Sequence, residues 1–148
     1  MITQHQLSTI NYPLLIVDYS LSIVNYKSST IMKDNILKSK SFLFAIRVVK
    51  LYKYLAEEKR EFVLSKQMLR SGTAIGALIR ESEHAESKAD FIHKLSISLK
   101  EANETEYWLM LLKETDYISQ KEFDSINSNI IELLKLLISI IKTSKIKR

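Results

Sequence analysis

Glu101 and Glu104 stand three residues apart in a stretch rich in Glu, Lys, Ala and Leu, so on a helix they share one face. Paired carboxylates can hold a metal ion or divide acid and base work between them. The di-iron form of that chemistry needs Glu-x-x-His pairs on facing helices, and the chain has none. Its histidines, His5, His84 and His93, are scattered and read as surface residues. The absence of cysteine excludes disulfides, thiol catalysis and thiolate-held zinc or iron–sulfur centres. No Ser/His/Asp or Lys-based nucleophile is legible either. A carboxylate metal enzyme built on Glu101 and Glu104 is therefore the least favoured reading. Salt bridges from these glutamates to Arg47, Arg70 or Lys100 are the better one, and no catalytic, metal or cofactor-binding residue is assigned.

Gly72 and Gly76 lie four apart, flanked by Ser71, Thr73, Ala74 and Ala77. Each glycine in a helix interior costs about 1 kcal/mol of propensity, so a compensating contact is expected. No GxxxxGK[ST] or GxGxxG pattern is present, which leaves a phosphate loop without support. The pair, with Ala77, is read instead as a place where another helix backbone comes close. Alanine at either glycine is then expected to destabilise the protein. Arg70, just before this stripe, would be carried toward Glu101 or Glu104. Trp108 and Phe91 could stack on bases, though aromatics at helical spacing serve cores and interfaces more often.

Net charge is +5, and residues 139–148 hold Lys142, Lys145, Lys147 and Arg148 without an acid. This basic end could contact phosphates of RNA or DNA, or simply keep the terminus solvated. No run of about 18 apolar residues exists, so no membrane span is expected. The N-terminus lacks the basic region of a signal peptide, and a cytoplasmic location fits.

The elements that must position these residues are helices. Only two glycines and one proline occur in 148 residues. Phe44, Val48, Leu51 and Leu55 recur at helical spacing, and Glu57–Arg60 closes that segment. A second helix is expected from Phe62 to about Glu83, facing inward through Leu64, Met68, Leu69, Ile75, Leu78 and Ile79. Ser87 and Asp90 have capping-box spacing and open a third helix through Phe91, Leu95, Leu99, Ala102, Leu109 and Leu112. Ser119 and Glu122 open the fourth, which carries Phe123, Ile126, Ile130, Leu133, Leu134, Leu137, Ile140 and Ile141. Four amphipathic helices with short joins predict an all-α, antiparallel up-down-up-down four-helix bundle over residues 36–141, with a basic tail at 142–148. The last helix has more apolar surface than one seam can absorb. Either its neighbours wrap it, or Leu133, Leu136, Leu137 and Ile140, with Trp108, meet another subunit.

Residues 1–35 form a leader with a seven-residue repeat: Ile10-Asn11-Tyr12, Val17-Asp18-Tyr19, Val24-Asn25-Tyr26. It is read as weakly ordered, or as an arm whose tyrosines and isoleucines dock on a neighbouring subunit.

Five stretches carry a resemblance: Phe44-Ala45-Ile46-Arg47-Val48-Val49, Glu61-Phe62-Val63-Leu64-Ser65-Lys66-Gln67, Leu69-Arg70-Ser71-Gly72-Thr73-Ala74-Ile75-Gly76-Ala77, Ser87-Lys88-Ala89-Asp90-Phe91, and Leu99 to Leu109. They resemble the four-helix proteins encoded within intervening sequences of bacterial 23S rRNA genes, over roughly residues 36–141. The resemblance implies a four-helix bundle assembling as a homopentamer without established activity. It also implies a polar network of Arg47, Arg70, Glu101 and Glu104. A related branch serves diversity-generating retroelements as a basic accessory protein that binds a reverse transcriptase and nucleic acid. Leu78 departs from the family pattern, where asparagine commonly follows the Gly-Ala pair, and this weakens a polar role for that turn. A non-enzymatic, self-associating scaffold or adaptor is the expected function, with nucleic-acid binding as the alternative.

Overall fold

The computed structural model of the protein describes residues 32–146. Four helices account for nearly all of them: α1 (Met32–Glu57), α2 (Leu64–Ser82), α3 (Lys88–Glu114) and α4 (Gln120–Ile146). Each packs on the next, and α4 returns to α1, which gives the expected all-α up-down-up-down bundle. No strand occurs among the described residues. The α1–α4 seam is the lightest of the four, and α2 is gripped on both sides by α1 and α3. The leader repeat at 10–30 lies outside the described residues, whereas α1 begins at Met32, four residues before the expected start at 36. The last helix runs through Ile146, so Lys142 and Lys145 stand on α4 rather than in a separate tail.

Local chemistry sets the helix ends. At α4 the Ser119 hydroxyl accepts from Glu122 N at 3.2 Å while Glu122 Oε2 accepts from Ser119 N at 2.7 Å, a reciprocal capping box. At α3 the Ser87 hydroxyl accepts from Asp90 N at 3.1 Å, but the shorter aspartate reaches Glu86 N rather than Ser87 N. The start of α2 has no Ser, Thr, Asp or Asn at its cap position, which is Val63. Glu61 supplies the acceptors instead. Its buried carboxylate takes the N–H groups of Val63, Leu64 and Ser65 at 3.0, 2.8 and 2.7 Å. Burial pushes the Glu61 carboxyl up, and these backbone bonds outweigh it, so its pKa lies below the ordinary glutamate value. Both glycines sit inside α2, so the left-handed residues that turn the chain after α1 and α3 are Arg60 and Asp116, at φ 54° and 63°. Each side chain there costs about 1 kcal/mol that a glycine would spare.

The core runs the length of the bundle through Phe44, Val48 and Leu55 of α1, Met68, Ile75 and Ile79 of α2, Leu95, Leu109 and Leu112 of α3, and Ile130, Leu133 and Leu137 of α4. Small polar residues thread it without loose ends. The Ser98 hydroxyl donates across the α2–α3 seam to Ile75 O at 3.1 Å, and Thr105 Oγ1 lies 2.9 Å from Ser71 Oγ. Such short side chains let α3 approach α2 closely while keeping every buried hydroxyl bonded.

A candidate interaction surface

The two glycines of α2 face α1, but they meet different things. A methyl group at Gly72 would lie 2.8 and 2.9 Å from the two γ carbons of Val48, a fully buried side chain. At Gly76 it would lie 3.4 Å from the Ser41 hydroxyl and 3.5 Å from the Ser41 carbonyl oxygen, which is ordinary contact. Helix backbone approaches at Gly76, whereas a stiff side chain fills the space at Gly72. Destabilisation by alanine at both sites therefore needs correction: the geometry supports it at Gly72 and not at Gly76. Ala77 is exposed and takes no part, because it points about 100° away from Gly76 around the helix.

The four charged residues read as one network form two separate groups. Arg70 Nη2 donates to Glu104 Oε1, and Nη1 lies 3.6 Å from Glu101 Oε2, so Arg70 reaches both glutamates of α3. Trp108 Nε1 donates to the same Glu104 oxygen at 3.1 Å. These two donors, Trp108 first and then Arg70, hold the Glu104 carboxyl below its ordinary pKa. The Arg70 side chain is 55% exposed, so water screens its end of the cluster, but Glu101 Oε2 is buried without a hydrogen-bond partner and has Arg70, 3.6 Å away, as its ion-pair partner. Arg47 belongs elsewhere. It is buried on α1 and donates into α4, from Nη1 to Ser125 O at 2.7 Å and to Asn129 Oδ1, and from Nη2 to Ser125 Oγ at 2.7 Å. Burial lowers its pKa to about 10, which leaves it charged at neutral pH. Arg47 is thus a clamp across the lightest seam, one reason that seam holds at all.

Among the described residues no group of three or more His, Asp or Glu side chains is placed to hold a metal ion. No helix there is long and apolar enough to cross a membrane. His84 and His93 are exposed. Lys142 and Lys145 are exposed on the last turns of α4, while Lys147 and Arg148 lie outside the described residues.

Part of the apolar surplus expected on α4 is taken by the core, while Ile138 of that helix is 40% exposed. Leu133 and Leu137 are buried in the bundle's own core, Leu136 and Ile140 are half-buried against it, and Trp108 packs on its edge. The first two are spoken for because α4 faces α3 and α1 at once and absorbs a wide apolar arc. A further apolar face lies on α1. Phe42, Ile46, Val49 and Lys53 form a stripe at spacings of four, three and four, with Leu43 and Lys50 beside it. This stripe points away from the side carrying Phe44, Val48 and Leu55. Phe42 is 53% exposed, its ring only 5.6 Å from the Arg80 guanidinium of α2, and Leu43, Ile46 and Val49 are half-buried. Sequence reasoning missed the stripe by following the inward positions alone. The signal was there, since α1 carries apolar residues round most of its circumference, unlike the one-sided α2.

No curated protein sequence matches the chain. Among solved structures it is similar to a protein of unknown function from the S23 ribosomal protein family of Bacteroides thetaiotaomicron. The two are 64% identical, with a TM-score of 0.74, over 75% of this chain and 99% of that one. Residues 33–139, which include α2, α3 and the Arg47 clamp, match the family of 23S rRNA-intervening sequence proteins. With that span covering most of the chain, the protein belongs to the 23S rRNA-intervening sequence protein family.

Proposed function

We propose that this protein is a non-enzymatic scaffold or adaptor that works as a homo-oligomer. The observation that carries this reading is the apolar stripe on the outer side of α1. In a monomeric bundle that side would face water and read polar. Here it presents Phe42, Leu43, Ile46 and Val49, none of which the core buries. Large apolar faces of this kind are covered by a partner. A pentamer, as the family resemblance implies, would cover it five times over in one closed assembly. Light scattering at micromolar concentration tests the reading: a mass that is a multiple of the 17.2 kDa chain is expected, and a strictly monomeric mass overturns it.

Nucleic-acid binding is the second reading, favoured by the exposed Lys142 and Lys145 on α4 and by Lys50 and Lys53 on α1. Repetition in an oligomer multiplies such charges, as it would in a retroelement-type accessory protein. Binding of a labelled RNA or DNA, followed by anisotropy, should weaken steeply with salt and drop when residues 142–148 are removed. Absence of binding at about 50 mM salt rejects it.

A further inference from the structure

We infer that the leader segment Leu21-Ser22-Ile23-Val24-Asn25-Tyr26 seats in a cleft at the end of its own chain's bundle; this stands whether or not the chain self-associates. The cleft encloses about 760 Å³ where α1 and α3 begin and α2 and α4 end. Leu37, Ile79 and Leu95 close its floor, and the half-buried Phe91 and Ile140 give it apolar walls. Ser87 and Ser144 put hydroxyls at its edge. The volume falls within the range of about 300–1,000 Å³ found for sites that enclose a small ligand. It suits a few side chains of a peptide rather than a packed helix.

Connectivity and composition select the leader as the occupant. The chain enters α1 at Met32, and Leu37 of the cleft floor lies five residues on, about 7.5 Å along the helix. Tyr26 stands six residues before Met32, a span of up to about 20 Å, so the segment can turn back and reach the cleft. A tether this short keeps the segment near the cleft at an effective concentration of order millimolar, which favours it over the same segment of another copy. In residues 1–31 only Asp18 and Lys27 are charged at neutral pH, against fifteen apolar or tyrosine side chains. A segment that stays in water by itself has the opposite balance, few apolar residues and many charges. Residues 21–26 hold Leu21, Ile23, Val24 and Tyr26 and no charge, so burying them strands no ion. Tyr26 joins an apolar ring to a hydroxyl that Ser87 or Ser144 can meet at the edge. The other terminus does not compete, because Lys147 and Arg148, which follow α4 at the same end, are both charged. The family span begins at residue 33, so the segment adds to the common bundle rather than belonging to it.

Disulfide trapping tests the seating, and the absence of native cysteine makes it clean. Asn25→Cys keeps all four apolar residues of the segment. In the full chain, paired with Ser144→Cys or Ala85→Cys at the cleft, it should oxidise within one chain. The product should run as a single, faster-migrating chain on a non-reducing gel at every protein concentration. Paired with Glu58→Cys, just past the far end of α1, it should not. Chance collision of a tethered segment is separated from seating by adding Ile23→Asp and Val24→Asp. Both positions lie outside the bundle, so its helical signal in circular dichroism should persist. Trapping should slow by roughly tenfold or more, the factor carried by burying one apolar side chain. Trapping at an unchanged rate with the two aspartates, or none at either cleft position, overturns the seating. So does a disulfide that forms only between chains, which puts the leader on a neighbouring copy. Faster trapping with Phe42→Cys than with Ser144→Cys puts it on the outer side of α1 and overturns the proposal equally.

Discussion

At the scale of single residues, the glycines of α2 show how little spacing reveals about a contact. Gly72 and Gly76 occupy one helical face, and sequence alone treats them alike. The structure separates them by what they touch. Val48 is β-branched and fully buried, so it cannot swing aside from a methyl group placed on Gly72. Gly72→Ala should therefore lose about 1–3 kcal/mol to overpacking, more than the roughly 1 kcal/mol it gains in helix propensity. Gly76→Ala meets only ordinary contact with Ser41 and should be neutral or more stable by up to about 1 kcal/mol. Urea melts of the two variants check this directly, and equal destabilisation would show that α1 crosses more tightly at Ser41 than the geometry gives. The charged residues teach the same lesson. That Arg70 reaches Glu101 and Glu104 was legible from its place before the small stripe. That Arg47 turns to α4 was not, because helix order says nothing of which seam a side chain bridges.

At the scale of elements, helix number, order and most inward positions followed from periodicity and two capping pairs. The start of α2 did not, because its cap is a buried glutamate two residues ahead of a valine rather than a residue type that signals a helix start. Replacing Glu61 by alanine should cost about 1–2 kcal/mol, in the range of other lost caps. The effect has a pH signature. The folded-state pKa of Glu61 is depressed, so the unfolded chain binds more protons in that window. The cap's contribution is complete above the ordinary glutamate pKa of about 4.3 and disappears as pH falls through the lower folded value. Denaturation of parent and Glu61→Ala at about pH 7 and about pH 3 should show a stability gap that narrows at the acid end. A gap of the same size at both would mean that packing, not the ionised cap, is what Glu61 supplies. The surface of α1 was overlooked for a different reason. Periodicity finds the apolar side that faces the core, and a second apolar side on the same helix blurs the period rather than announcing itself.

At the scale of the whole molecule, the bundle bonds its buried hydroxyls locally, leaves Glu101 Oε2 and Asn127 Oδ1 buried without a hydrogen-bond partner, and leaves apolar residues of α1 and α3 facing outward. The chain shares a family and a fold with a protein of unknown function that is 64% identical to it, so the likeness identifies the scaffold without naming a task. Glu104 is held by Arg70 and Trp108, and Arg47 by α4. What calls for something further is the outer side of α1, and self-association is the central claim. Sedimentation equilibrium of the parent beside Phe42→Asp, over a dilution series from high to low micromolar, tests it most directly. The parent should sediment as an assembly several times the 17.2 kDa chain, and Phe42→Asp should shift toward a single chain without loss of helix. A parent that sediments as one chain throughout, or a Phe42→Asp variant that assembles as the parent does, would contradict it.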